Sequence, residues 1–586
     1  MLYAIERTLK LIQGFALYSP TSNQTIALQL ERHAERRPQQ LLLIFGERRY
    51  TYAQGNALIN QHADAYKKLG VRKGDVVALA MENRPEFLWH MFALHKLGAV
   101  SSLINTHGQG DLLAHAIRIC VPSRVIVGSE IWPRFAEIRA QLADVAPGAV
   151  DVDMDVDEPC AVDVPLWSTH LQDASSANPV ETGTHTLQDQ AAYIYTSGTT
   201  GLPKAAVVRH HRLFRGGRVW SGAALRYGPN DVHYNCLPLY HSNAVILATS
   251  SVITAGVTLA LSRKFSRSRF WDEVRESGAT SFIYIGELCR YLMNADPSPR
   301  DRDHKVRVVT GNGLRPDIWE AFQQRFGVAR VAEFYGATEG NCITINLFNT
   351  VGSVGRLLPG MTLARWDEAR QSFIRDSRGF CVKAKAGESG ILLGKIRPRG
   401  EFDGYQDKAA SEKKIVRDAF DKGDAWFNTG DLLRADRMGN LFFMDRLGDT
   451  FRWKGENVAT FEVQEQISKW PPASEVNVYG VQVQGTEGRA GMAAVVLGPH
   501  QTFDARAFKD HVASALPSYA RPLFVRVMPE LQTTGTFKLK KNDLQKEGFD
   551  PRTVPDPLYF LHPERQEYVL LDASLHDAIS TGRLRL

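Results

Sequence analysis

The sequence predicts an α/β protein. A large N-terminal domain of mostly parallel sheets flanked by helices, with a small β subdomain, precedes a smaller α+β C-terminal domain. Three observations predict this. The first 130 residues alternate short apolar strands with amphipathic helices, the pattern of parallel sheets covered by helices. Val351 to Ile396 carries shorter strand-like runs separated by Gly and Pro turns, which reads as a small β subdomain. A new α/β alternation begins after Arg446, and 586 residues are too many for one hydrophobic core.

The elements follow in order. Leu41 to Phe45 and Arg49 to Tyr52 read as paired strands. Thr51-x-x-Gln54 is a capping box that opens a helix to Leu69. Val76 to Met81 is a strand, and Asn83 is the expected cap of a helix with Pro85 near its start and Gly98 at its stop. Val100 to Ile104, Asp111 to Cys120 and Arg124 to Val127 continue as strand, helix and strand. Ala146 to Gln190, with Asp151, Asp153, Asp155, Asp157 and Glu158, reads as a surface insertion or irregular connection. It lacks the glycine and terminal Glu of an EF-hand calcium loop. Regular alternation resumes at Ala191 and runs to about Ile345. In the C-terminal part, Asn477 to Val483, Met492 to Leu497 and Phe524 to Val527 are strands, and Phe503 to Leu516 is a helix halted by Pro517.

Composition narrows the function classes. The net charge of +6 is small for this length, and no basic block interleaves with aromatics, so nucleic acid is not an expected partner. The charge is compatible with loose attraction to an anionic membrane or a polyanionic small molecule. Six cysteines are scattered without a Cys-x-x-Cys pair, which suits a reducing cytoplasm and argues against zinc. No secretory signal is legible at the start. Asn243 to Ser262 is uncharged over 20 residues, long enough to span a membrane by length. Its hydroxyl residues and Gly256 instead predict a helix to Ala255, a stop, and a strand Val257 to Leu261. Leu2 to Tyr18 is amphipathic at helical spacing; it suits docking on its own domain or lying on a bilayer surface.

Chemistry concentrates at Tyr193-Ile-Tyr-Thr-Ser-Gly-Thr-Thr-Gly-Leu-Pro-Lys204. A buried strand breaks into Thr196, Ser197, Thr199 and Thr200, with Gly198 and Gly201 baring the backbone and Lys204 adding a cation. Hydroxyls, bare amides and an ammonium on one loop suit a polyphosphate. The loop is not Gly-x-x-x-x-Gly-Lys-Ser/Thr, so it is no Walker A motif.

That dodecapeptide resembles the phosphate loop of the adenylate-forming superfamily of acyl-CoA synthetases, luciferases and adenylation domains. Further segments agree in the same order: Tyr335-Gly-Ala-Thr-Glu339, Trp426-Phe-Asn-Thr-Gly-Asp431, Asp445 to Asn457, and Thr534-Gly-Thr-Phe-Lys538. The last two, with Gly311-Asn-Gly-Leu-Arg-Pro-Asp317 and the tail from Asp556, are similar to the fatty acid transport protein and very-long-chain acyl-CoA synthetase branch. The resemblance implies domains at 1–446 and 447–586, the second mobile about a hinge at Gly448.

It also implies roles. Thr196, Ser197, Gly198, Thr199, Thr200, Gly201 and Lys204 would hold the β- and γ-phosphates of ATP. Tyr335, followed by Gly336, would face adenine; Thr338 would reach the α-phosphate, and Glu339 would hold Mg²⁺. Asp431 and Arg446 would meet the ribose, although Asp431 also reads as an Asx-turn residue. Gly311 lines the adenine pocket, and Asn312 either reads the base edge or holds a tight turn. Lys538 would bridge the α-phosphate and the substrate carboxylate. Its spacing departs from the superfamily's adjacent Gly-Lys, so Lys540 and Lys541 stay as rivals. Gly455, after Lys454, would leave room for the pantetheine arm of coenzyme A. His241 sits where the family has an aromatic or histidine beside the acyl pocket; it reads as a gate or as a core histidine. Ala244 to Val257 and Phe282 to Ile285 are the candidate acyl lining.

The implied activity is an ATP-dependent long-chain or very-long-chain fatty acyl-CoA ligase in the cytoplasm, in peripheral contact with a membrane. The alternatives are an acyl-AMP ligase loading a carrier-protein thiol and a non-catalytic fatty-acid uptake factor.

Overall fold

The structure is a computed structural model. It describes the chain except residues 1–18, 144, 146–148, 198–201, 369, 398–401, 454–455, 485, 487, 534–540 and 585, and the side chains of Ser197 and Asn457. The amphipathic stretch Leu2 to Tyr18 therefore lies outside the described residues. The chain divides into two compact units: Met1–Leu314 with Ala321–Thr350 and Ile396–Ile415, and Arg315–Glu320 with Val351–Lys395 and Val416–Leu586.

Among the described residues, the first unit holds a six-stranded sheet in the order Val150–Asp153, Arg124–Gly128, Val76–Ala80, Val100–Leu103, Gln190–Ser197 and Pro203–Arg209. All its pairs are parallel except the last. Its eight-stranded sheet runs Ile343–Ile345, Arg330–Gly336, Val308–Asn312, Ser281–Ile285, Val232–Asn235, Thr258–Leu261, Leu41–Phe45 and Arg48–Thr51, parallel inside and antiparallel at both edges. Helix Pro85–Leu97 is buried on every face except Glu86. Lys96 on that helix is compensated by Glu31 at 2.8 Å and by the Asn56 and Asn60 amide oxygens at 2.7 Å. A buried ammonium needs such partners to stay charged.

Local rules read correctly where their partners are local. Thr51 and Gln54 form the capping box. Gly98 and Gly256 end their helices at positive φ, 71° and 68°. The uncharged run becomes a π-helical turn Asn243–Thr249, helix Ser250–Ala255 and strand Thr258–Leu261. Among the described residues, no helix is long and apolar enough to cross a membrane.

Two expectations are corrected. Asn83 caps nothing: the N-cap position is Arg84, and no side chain bonds there. The Asn83 amide instead donates to Leu237 and Ser262 carbonyls at 2.9 and 3.0 Å and accepts from the Leu239 amide at 2.7 Å. The acidic stretch is not a surface insertion throughout. Asp151, Asp153 and Asp155 are buried, and Val150–Asp153 is a sheet edge. Arg124 and His170 meet Asp151, Arg84 and His90 meet Asp153, and Arg263 meets Asp155. Those arginine and imidazole groups replace the water that the carboxylates lose.

The second unit contains antiparallel β-structure from Ser353–Arg356 through Met361–Ala364, Ser389–Lys395 and Ala425–Ala435 to Asn440–Arg446. This agrees with the β subdomain expected after Val351. Its C-terminal part is a five-stranded sheet, Ala473–Val481, Ala490–Leu497, Phe524–Met528, Leu558–His562 and Glu567–Leu570, covered by helices that include Ala505–Ala515. Trp470, Phe508, Phe524, Phe560 and Tyr568 belong to its core.

Candidate functional site

Ligand crevices in α/β sheets open at the carboxyl ends of parallel strands. The first unit gathers its candidate residues there. Gln190–Ser197 and Pro203–Arg209 form a hairpin whose register sets Thr196 opposite Lys204. The Thr196 hydroxyl is buried, within reach of the Tyr405 phenol. Gly198, Thr199, Thr200, Gly201 and the Ser197 side chain lie outside the described residues.

Strand Arg330–Gly336 delivers Tyr335, buried and paired with Thr344, and leaves Gly336 exposed at its end. Beyond it, Thr338 Oγ1 lies 3.1 Å from Ser242 Oγ, and Glu339 Oε1 accepts the Tyr405 hydroxyl at 2.8 Å. Arg212 on helix His210–Val219 donates to the carbonyls of Thr338 and Ala337. Burial lowers the Arg212 pKa, while Asp403 and Glu339 oppose that shift. Burial also raises the Asp403 carboxyl, against the pull of Arg212 and Arg209.

Strand Val308–Asn312 ends at the glycine turn. A Cβ on Gly311 would stand 2.3 Å from the Tyr284 carbonyl oxygen, and one on Gly286 would stand 1.7 Å from that of Gly313. Backbone approach this close admits only glycine. Beneath the turn, Glu333 Oε1 accepts the Gly313 and Leu314 amides while Oε2 accepts the Tyr284 hydroxyl. The Asn312 amide oxygen accepts from Asn243 at 2.8 Å. The His241 ring packs 4.5 Å from that of Tyr240. Residues Ala244 to Ile253 are buried, and Thr254 and Ala255 are half-buried.

In the second unit, Asp431 and Arg446 are register partners on adjacent strands, with Arg446 Nε 3.5 Å from Asp431 Oδ1. Gly448 has φ +96°, with nothing within 4 Å of an added Cβ. Lys454, Gly455, Lys538 and Lys540 lie outside the described residues. Lys541 is described: its ammonium meets Thr460 Oγ1 at 2.6 Å and Asp449 Oδ2 at 3.3 Å.

Residues 30–381 match the AMP-binding enzyme family, and residues 462–538 match the AMP-binding enzyme C-terminal domain. The chain belongs to the AMP-binding enzyme family. It is 43% identical to the medium/long-chain-fatty-acid–CoA ligase FadD6 of Mycobacterium tuberculosis, over 97% of this chain and 93% of that one. It is 40% identical to long-chain fatty acid transport protein 1 of Homo sapiens, over 96% and 89%. The fold matches the anthranilate CoA ligase AuaEII in complex with anthranoyl-AMP, with TM-score 0.77 at 22% identity over 90% and 98% of the chains. It also matches ATP-bound MatB from Rhodopseudomonas palustris, with TM-score 0.74 at 23% identity over 89% and 98%.

Residues of this AMP-binding enzyme fit a nucleotide triphosphate on their own chemistry. A buried hydroxyl at Thr196, set opposite a lysine, offers a donor and a cation for phosphate oxygens. The Glu339 carboxylate offers the hard oxygen that magnesium takes. Sequence reading missed Arg212, Ser242, Asn243, Asp403 and Tyr405. Ser242 and Asn243 directly follow His241, a signal that was available; Arg212, Asp403 and Tyr405 lie outside the motifs, and no local signal marks them. Glu333 was missed too, but a signal existed: an acid in the buried run Val331 to Tyr335.

Proposed function

We propose that the protein is an ATP-dependent, AMP-forming fatty acyl-CoA ligase for long-chain and very-long-chain acids. The observation that carries this reading is the 43% identity to a medium/long-chain-fatty-acid–CoA ligase across 97% of the chain. In the first half-reaction a carboxylate oxygen attacks the α-phosphorus of ATP, and the bond to pyrophosphate breaks. In the second, the coenzyme A thiolate attacks the acyl carbon, and the bond to AMP breaks. Both steps rest on positioning and charge neutralisation.

Thr196, Lys204 and the loop between them would bind the β- and γ-phosphates. Thr338 would donate to the α-phosphate, and Tyr335 and Gly311 would line the adenine. Asp431 and Arg446 would hold the ribose. Glu339 would ligate a magnesium ion, whose charge offsets that of the phosphate oxygens. Lys538 would approach the α-phosphate and carboxylate, and Gly455 would admit pantetheine. For these roles the working division is 1–446 and 447–586, hinged at Gly448. The 40% identity to a long-chain fatty acid transport protein supports a second reading, a fatty-acid uptake factor at the membrane whose transport does not depend on catalysis.

The test is release of pyrophosphate and AMP by purified protein across acids from short to very long chains. AMP release that requires coenzyme A supports the ligase. Release that requires a holo-carrier protein instead makes it a carrier-loading acyl-AMP ligase. No nucleotide consumption with any acid ends the enzymatic reading and leaves uptake alone.

A further inference from the structure

We propose that Tyr405 is a positioning residue for cation and triphosphate binding: its hydroxyl fixes the Glu339 carboxylate, and its ring steadies Lys204. The inference rests on the ligase reading above. The Tyr405 hydroxyl donates to Glu339 Oε1 at 2.8 Å, and the Lys204 ammonium lies 5.7 Å from the ring centroid. One side chain therefore touches both charged groups assigned to the ATP phosphates and their cation.

The surrounding backbone fixes that side chain. Tyr405 forms an antiparallel bridge with Ala206. On either side, the Val207 amide donates to Gly404 at 2.9 Å, and the Gln406 amide donates to Ala205 at 2.8 Å. The Gly404 amide donates to the Glu339 carbonyl at 3.2 Å, so the segment is tied to the carboxylate's own backbone as well. Ser411 Oγ accepts the Tyr405 amide at 2.9 Å and closes the turn from the other side. Tyr405 is 8% exposed. A glutamate held only by its backbone samples several rotamers, and ordering it on cation binding costs entropy. A donor on one carboxylate oxygen removes that freedom beforehand and leaves Oε2 for the cation. A phenol carries its proton at neutral pH, so Tyr405 is a donor there.

Tyr405→Phe keeps the ring facing Lys204 and deletes only the donor. The measurement is Mn²⁺ binding in the presence of ATP, followed by electron paramagnetic resonance without fatty acid, so no turnover is needed. The expected result is a roughly tenfold weaker Mn²⁺ affinity, the scale of one charge-assisted hydrogen bond. Melting without nucleotide should match wild type. Tyr405→Ala should weaken ATP binding further, because Lys204 loses the ring face. Should Tyr405→Phe melt early, the double variant with Glu339→Gln decides: a hydroxyl acting through Glu339 adds no further loss once that carboxylate is gone. Wild-type Mn²⁺ affinity in Tyr405→Phe, or full additivity with Glu339→Gln, overturns the inference. Wild-type protein that neither binds Mn²⁺ with ATP nor releases pyrophosphate overturns the ligase reading instead, so the two failures are distinguishable.

Discussion

Arg212 Nη2 donates to the carbonyl oxygen of Ala337 at 3.2 Å, and its Nη1 donates to the neighbouring Thr338 carbonyl. One buried guanidinium thus holds the turn that carries Thr338 and Glu339. Arg212→Met strips both carbonyls of their donor and leaves Asp403 without its strongest opposing charge. Each lost buried bond costs about 1–3 kcal/mol. Pyrophosphate release should fall by about 10–100-fold, and the melting temperature should drop. Arg212→Lys should recover only part of the activity, because an ammonium lacks the planar fork that spans two carbonyls. Wild-type rates in both variants would show that the turn holds itself.

Glu333 should make stability fall as pH rises. Burial pushes its carboxyl up to about 8 from the usual 4.5, against three donors that favour the ionised form. Between those values the native state holds a proton that the unfolded state has released. Unfolding free energy therefore decreases with pH across that window. Glu333→Gln keeps an acceptor for the Gly313 and Leu314 amides and removes the titration. Between pH 5 and pH 8, the melting temperature of wild type relative to this variant should decline. A pH-independent difference would show that Glu333 is already ionised in the native state.

The buried imidazoles act in the opposite direction. Burial lowers His62 and His233 to about 3 and His95 to about 4, from the usual 6.5. Below pH 6.5 the unfolded chain takes up protons that the native imidazoles refuse, so stability falls as pH drops toward 4. Melts across that range should show a steep loss. A flat profile between pH 6.5 and 5 would mean that these rings protonate in place.

Lys538 and Glu339 should both be needed for adenylation. Glu339→Ala and Lys538→Ala should each reduce pyrophosphate release by about 10²–10³-fold, the usual scale for removing one preorganised electrostatic group. Lys541→Ala should mainly lower the melting temperature, because its ammonium is committed to Thr460 and Asp449. Lys540→Ala should leave adenylation near wild type. Full pyrophosphate release by both Glu339→Ala and Lys538→Ala would show that the site assignment is wrong.

Much of the fold was legible because its signals are short-range. The capping box at Thr51 and the positive-φ glycines at 98 and 256 depend on neighbours within a few residues. Asn83 shows where this fails. It stands beside a helix start with Pro85 next, yet its amide bonds to Leu237, Leu239 and Ser262, more than 150 residues away. The aspartates near 151 fail for the same reason, since Arg84 and Arg263 are invisible as partners until the chain folds. Among site residues, Thr196, Lys204, Tyr335 and Glu339 sit in motifs. Tyr405 and Arg212 reach them only across the fold.

The amino-acid order alone determined the alternation of elements and the family, because these are written in contiguous residues. Only the tertiary structure decided that the hairpin from Leu41 to Thr51 joins the sheet beside Thr258–Leu261, and that Tyr405 meets both Glu339 and Lys204. The physical reason is that a buried charge or hydroxyl must find a partner, and the partner's distance along the chain is set by packing rather than by local pattern.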